Sequence, residues 1–246
     1  MHHLNGKYIV ITGVGGDLGF GLLKFFYKKK CKIIGFARSR SPRLNKLVTK
    51  KNIQIFYGDL SDEDFVKNSL IKNGIFKKGI DHLINCAGTS SFEKINQISM
   101  VKWKKIVDDN LTSTFIVTKT CLSLFSKKGD RSIINISSIA GQKYSKVAGV
   151  HYTACKAAII GFTKQLAIEL SSKKIRVNYI APGQIDSRML SHAIKINKIN
   201  KKNLINSIPL KRLATVDDVV NACEFLLSDK SSYITATSID VNGGAI

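Results

Sequence analysis

Tyr8-Ile9-Val10-Ile11-Thr12-Gly13-Val14-Gly15-Gly16-Asp17-Leu18-Gly19-Phe20-Gly21 is the stretch on which the fold turns. Four apolar or aromatic residues in a row, two of them Ile, predict a short strand buried on both faces. The glycines that follow permit a tight turn and let backbone approach a ligand closely. A helix-like run over 18–30 comes next. Strand, glycine-rich turn and helix, in that order, make a place for a pyrophosphate. Its charge would meet the free N–H groups and positive dipole end of the helix.

The pattern repeats outward. Apolar runs at 32–36, 53–57, 82–85, 132–136, 176–180 and 238–241 read as six further strands, and longer segments such as 154–170 read as helices between them. Alternating strands and helices imply a parallel sheet covered on both faces by right-handed crossovers. The expected fold is α/β, a three-layer doubly wound domain with a seven-stranded parallel sheet. With 246 residues and no repeat or low-complexity linker, a single domain over 1–246 is expected.

Composition narrows the class. Hydrophobic residues make up 44% and the mean hydropathy is +0.01, which fits a globular chain rather than a disordered one. No apolar run approaches a membrane span and no signal peptide is read, so a cytoplasmic protein without membrane contact is expected. Five cysteines, spread out and without C-x-x-C spacing, argue against a disulfide framework or a metal site. His2-His3 is too short for either a tag or a metal site. Thirty-nine Lys and Arg against 17 Asp and Glu give +22. The lysines form scattered pairs, Lys77-Lys78 among them, rather than one block. Solvated faces and a compositional bias explain them better than nucleic-acid binding does.

Two further stretches carry chemistry. The second strand ends in Gly35-Phe36-Ala37-Arg38-Ser39-Arg40, where the adenosine ribose of a dinucleotide would lie. No carboxylate is present to hold a 2′-hydroxyl. Arg38, with Ser39 or Arg40, suits a 2′-phosphate, so NADPH/NADP+ is expected ahead of NADH. Tyr152-Thr153-Ala154-Cys155-Lys156 sets Tyr152 and Lys156 four apart on a helix-like stretch, hence on one face. A neighbouring ammonium would lower the phenol pKa and make Tyr152 a usable acid/base.

These motifs stand with others: Asp59-Leu60, Asn85-Cys86-Ala87-Gly88, Asn110-Leu111-Thr112-Ser113, Ser137-Ser138, Pro182-Gly183 and Val241-Asn242-Gly243-Gly244. Together, and in this order, the chain resembles the short-chain dehydrogenase/reductase family over nearly its whole length. Within that family it looks most like 3-oxoacyl-(acyl carrier protein) reductases. The resemblance implies a Rossmann fold and a catalytic set of Asn110, Ser138, Tyr152 and Lys156. In that set Tyr152 exchanges a proton with the substrate oxygen, Ser138 orients the carbonyl, Lys156 holds the nicotinamide ribose, and Asn110 holds a water next to Lys156. It implies cofactor contacts at Gly13, Gly16, Asp17, Leu18, Gly19, Arg38, Ser39, Asp59, Leu60, Asn85, Ala87, Gly88, Tyr152, Lys156, Pro182, Gly183, Ile185 and Ser187, with no metal. It also implies a homotetramer and a substrate lid over about 186–212.

Two departures from the family pattern stand out. Asp17 replaces a glycine in the turn; it is read here as a helix cap with its side chain turned away from the pyrophosphate. Ser138 and Tyr152 are also one residue further apart than in some relatives, an excess that the loop over 142–150 would absorb. The rival Tyr144 has Ala148 four residues on and so lacks a lysine partner. Lys195, Lys198, Lys201 and Lys202 make the lid basic. That suits a 3-oxoacyl thioester on an acidic carrier, with a sugar or another secondary alcohol as the alternative substrate. A non-catalytic cofactor-sensing or nucleic-acid-binding protein is the alternative of another class.

Overall fold

A computed structural model describes residues 4–72 and 79–245; the His2-His3 and Lys77-Lys78 pairs lie outside them. β1 (Tyr8–Thr12) leads through the glycine turn into α1 (Asp17–Lys28), followed by β2 (Lys32–Ala37), α2 (Pro42–Val48), β3 (Ile53–Tyr57) and α3 (Glu63–Lys67). The chain then forms β4 (His82–Asn85), α4 (Met100–Val107), α5 (Ser113–Leu122) and β5 (Arg131–Ile136). A short α6 (Ile139–Gln142) precedes the long α7 (Val150–Glu169) and β6 (Ile175–Pro182). α8 (Arg188–Ile196), α9 (Lys201–Asn206), α10 (Val216–Leu227) and β7 (Ser238–Val241) follow.

The seven strands are parallel and lie in the order β3-β2-β1-β4-β5-β6-β7. All seven apolar runs of the sequence are strands, in the expected three-layer α/β arrangement. Successive side chains of a strand point to opposite faces, and the core divides accordingly. Ile9, Ile11, Ile33, Ile84 and Ile134 pack with Leu22, Phe26, Val219 and Leu226 of α1 and α10. Val10, Ile34, Leu83 and Ile133 pack with Ile116, Val117 and Leu166 of α5 and α7 on the other face. Both faces being covered explains why the strands lack polar alternation.

Chain direction across the sheet reverses between β1 and β4. Open sheets of this kind bind ligands outside the carboxyl ends of their strands at such a switch point. Two local features at that edge differ from the sequence reading. The helix read over 154–170 starts at Val150, because Gly149 serves as its N-cap and donates its N–H to the Ser91 carbonyl. The helical segment around Asn110 is broken between α4 and α5 by a π turn, Asp108–Thr112. Asn110 Nδ2 donates to the carbonyls of Ile106 and Thr89, both at 2.9 Å. A side chain inserted this way holds the turn open, and π turns of this kind gather at functional sites.

Candidate active site

The carboxyl ends of β1, β4, β5 and β6 open into one cleft of about 690 Å³, a volume suited to small molecules and cofactors. Apart from Asn85, every site residue anticipated from sequence lines it. Asn85 lies in the core beneath, donating to Thr118 Oγ1 at 2.9 Å and Asn135 Oδ1 at 2.8 Å. Asn135 in turn donates to Thr163 Oγ1 at 2.9 Å. This polar ladder pins β4 and β5 between α5 and α7.

The first wall is the glycine turn. Thr12 Oγ1 accepts from the amides of Cys86 and Ala87, each at 2.9 Å, and so ties the end of β1 to that of β4. Gly13 has φ +73°, and a Cβ there would sit 2.8 Å from Ala87 Cα. No other residue fits that approach. Asp17 is not a helix cap: Gly16 is the N-cap of α1, and Asp17 is its first helical residue, with no capping bond. Its carboxylate instead takes Arg43 Nη1 at 2.9 Å, Arg188 Nε at 2.8 Å and the Arg188 amide at 2.8 Å. Burial raises the Asp17 pKa, but the Arg188 amide and the two guanidiniums outweigh it and hold the carboxyl below its usual range.

At the end of β2, Arg38 does not stand free. Its Nη2 lies 2.5 Å from Asp109 Oδ1 and 3.9 Å from Asp59 Oδ2. Asp109 is almost fully buried and also takes Lys105 Nζ at 2.7 Å and Thr89 Oγ1 at 2.9 Å. The Asp109 hydrogen bond raises the Arg38 pKa. Burial pushes the Asp109 carboxyl up, yet its bonds to Arg38, Lys105 and Thr89 bring it below the usual range. Asp59 Oδ1 accepts from the Ser61 amide and hydroxyl, which fixes the turn after β3.

At the other end, the turn between β5 and α6 presents Ser138, and the first two turns of α7 present Tyr152 and Lys156. Ser138 caps α6, its Oγ accepting from the Ala140 amide at 3.1 Å. Lys156 Nζ donates to the Ile136 carbonyl at 3.1 Å and lies 5.5 Å from the Tyr152 ring centroid. A Cβ on Gly88 would sit 2.6 Å from Asn110 Oδ1 and 3.3 Å from Lys156 Nζ, so glycine there leaves open the space between them. Asn110 Oδ1 is buried and has no hydrogen-bond partner among the described residues.

Lowering of the phenol by Lys156 is not seen in the chain alone. Burial pushes Tyr152 up to about 12, against the Ser138 hydrogen bond. Burial also pushes Lys156 down to about 8, against the pull of the Cys86 and Cys155 thiols. The rival Tyr144 is 66% exposed. His151 is buried on α7, and burial lowers its pKa.

Sequence reading missed Arg43, Arg188 and Asp109 as site residues. Arg43 and Arg188 reach the glycine turn only through the tertiary fold. Asp109 had a local signal, an acid directly before Asn110, that went unused.

A seven-stranded doubly wound domain, a glycine turn at its switch point, and a serine, tyrosine and lysine gathered in one cleft define a nucleotide-dependent oxidoreductase. A family model described as "Enoyl-(Acyl carrier protein) reductase" matches residues 13–245. The chain belongs to the short-chain dehydrogenase/reductase family and is an oxidoreductase that works with a nicotinamide cofactor. It is 33% identical to a 3-oxoacyl-[acyl-carrier-protein] reductase of Buchnera aphidicola, covering 97% of this chain and 96% of that one. A 3-oxoacyl-[acyl-carrier protein] reductase from Brucella melitensis with bound NAD superposes with a TM-score of 0.86 at 28% identity, covering 100% of this chain and 93% of that one. The ligand-free aldohexose dehydrogenase of Thermoplasma acidophilum superposes with a TM-score of 0.88 at 26% identity, covering 98% and 94%.

Proposed function

We propose that the chain reduces a 3-oxoacyl thioester to the 3-hydroxy form with NADPH. The convergence of Ser138, Tyr152 and Lys156 beside the glycine turn carries this reading. The residues present fit a dinucleotide. Gly13 allows close approach at the turn, α1 offers free N–H groups to a pyrophosphate, and Arg38 with Ser39 offers donors to a 2′-phosphate. Asp59 and Leu60 would hold the adenine, and Pro182, Gly183, Ile185 and Ser187, which line the same cleft, would hold the nicotinamide carboxamide. A bound nicotinamide would supply the hydride for the carbonyl carbon. Tyr152 and Ser138 donate to the carbonyl oxygen as negative charge builds there, and Tyr152 gives up its proton. Lys156, as a cation, stabilises the phenolate that results. Asn110 Oδ1 faces the space beside Lys156, where a water would join Lys156 to solvent.

The choice of thioester rests on the lid and on the relatives. The segment over 186–212 leaves the domain through a closed neck, where the Asp186 amide donates to the Ala214 carbonyl at 2.8 Å and the Ala214 amide to the Gln184 carbonyl at 2.9 Å. α8 and α9 lie on that segment with Lys195, Lys198, Lys201 and Lys202, which suits an acidic carrier protein. The likeness to an aldohexose dehydrogenase supports a second reading, oxidation of a sugar alcohol carbon. We place the protein in the cytoplasm as a homotetramer. Exposed Met100, Val101 and Trp103 on α4 and Phe115 on α5 supply an apolar face for self-association.

The test is turnover of a panel of 3-oxoacyl thioesters, simple ketones and aldohexoses with NADPH and with NADH, with Tyr152→Phe alongside. Thioester reduction by NADPH that Tyr152→Phe loses is the expected result. Turnover confined to sugars would replace the substrate and keep the roles; equal use of NADH would remove the NADPH preference.

A further inference from the structure

Arg188 is the first residue of α8, at the base of the lid, yet its side chain is bound to the phosphate turn rather than to its own helix. Its Nε and its amide both go to Asp17, and Nη2 reaches the Gly15 carbonyl at 3.2 Å. Arg43 approaches the same carboxylate and the same Gly15 carbonyl from α2. Arg188 lines the cleft and Arg43 does not. One carboxylate thus sits between the first turns of two helices and takes the donors of both elements. Those donors, a helix amide and a planar guanidinium, are the groups that a phosphate would take.

We propose that Arg188 is a phosphate ligand carried by the lid, and that Asp17 holds it over the turn until a dinucleotide pyrophosphate replaces the carboxylate as its partner. Arg43, outside the cleft, stays with Asp17 and keeps that carboxylate compensated after Arg188 turns inward. Engagement of the cofactor phosphates and settling of the lid are then one event, because one residue belongs to both. The inference rests on the dinucleotide reading above and extends it to a residue outside the glycine turn.

Binding of NADPH and NADH to the full chain, followed by calorimetry, tests this with Arg188→Gln, Asp17→Asn and the double variant. Arg188→Gln should weaken both dinucleotides about equally, by roughly tenfold, because the pyrophosphate is common to them and the 2′-phosphate is not. Asp17→Asn should tighten both, and should do so far less in the Arg188→Gln background. Without dinucleotide, trypsin should cut the lid lysines, Lys195 to Lys202, faster in Asp17→Asn than in the parent chain, with NADPH restoring protection. Asp17→Ser repeats the test should the amide disturb the turn. Unchanged affinity in Arg188→Gln, or weaker binding in Asp17→Asn, would overturn the proposal. A parent chain that binds neither dinucleotide would overturn the cofactor reading itself.

Discussion

The two ends of the cleft are built differently. At the end proposed for the nicotinamide, Ser138, Tyr152, Lys156 and Asn110 stand on the turn after β5, on α7 and on a π turn, and Asn110 and Lys156 are buried. Asn110 and Lys156 donate to backbone carbonyls, and Ser138 accepts from a backbone amide. At the phosphate and adenosine end, Asp17, Arg38, Arg43 and Arg188 are held by ion pairs between side chains, with Arg38 and Arg188 more than half exposed. The first arrangement is rigid and can keep proton-transfer geometry within a narrow tolerance. The second can exchange partners when a charged ligand arrives. On the proposed reading, reaction type would be set at the buried end and cofactor choice at the exposed one.

Removing the Tyr152 hydroxyl is the severest way to break this division. Tyr152→Phe should lower kcat/KM by about 10³-fold while lowering dinucleotide affinity far less, as read from steady-state rates and calorimetry. A comparable loss of affinity would mean that the two ends are not separable. The pH profile sharpens the same point. Lys156, pushed down to about 8 by burial, is charged below that pH and neutral above it. Tyr152, pushed up to about 12, keeps its proton throughout. Reduction should then be flat below pH 8 and fall above it, as the cation that stabilises the phenolate is lost. In Lys156→Arg the fall should move well beyond pH 10, because a guanidinium keeps its proton. A profile that rises through 8 would make the neutral amine the active form.

The same contrast explains what the sequence made legible. Strand runs such as 53–57 and the Tyr152/Lys156 spacing are local patterns, and period and helical pitch translate them directly into structure. The π turn at Asp108–Thr112 left no such pattern, since Asn110 forms it by reaching the Thr89 carbonyl in another segment. The contacts of Asp17 with Arg188 span 171 residues, and only the closed fold brings them together. Burial likewise overrode the local inference about the Tyr152 phenol, which considered Lys156 and not the loss of water around the ring.

A smaller effect is expected at the adenosine end. Asp109 holds Arg38, so on the proposed reading a 2′-phosphate would have to compete with that carboxylate for it. Asp109→Asn should raise the ratio of NADPH to NADH affinity by about tenfold, and Arg38→Ala should lower it by a similar factor. Calorimetry with both dinucleotides reads this. A ratio that Asp109→Asn leaves alone would mean that Arg38 reaches the phosphate without leaving its partner.

The smallest effect should come from an ion pair one residue away. Lys104 Nζ lies 2.5 Å from Asp108 Oδ2, as close as Arg38 lies to Asp109, but Lys104 is 75% exposed and Asp109 only 3%. Water screens the first pair, and holding two mobile side chains together costs about what the attraction returns. Lys104→Gln should therefore change unfolding free energy by less than about 0.5 kcal/mol and leave both dinucleotide affinities alone, as measured by urea unfolding and calorimetry. Asp109→Asn removes the one buried carboxylate that Arg38, Lys105 and Thr89 share and should be felt in both measurements. Equal responses in the two variants would mean that ion-pair distance, and not burial, sets the strength of these contacts.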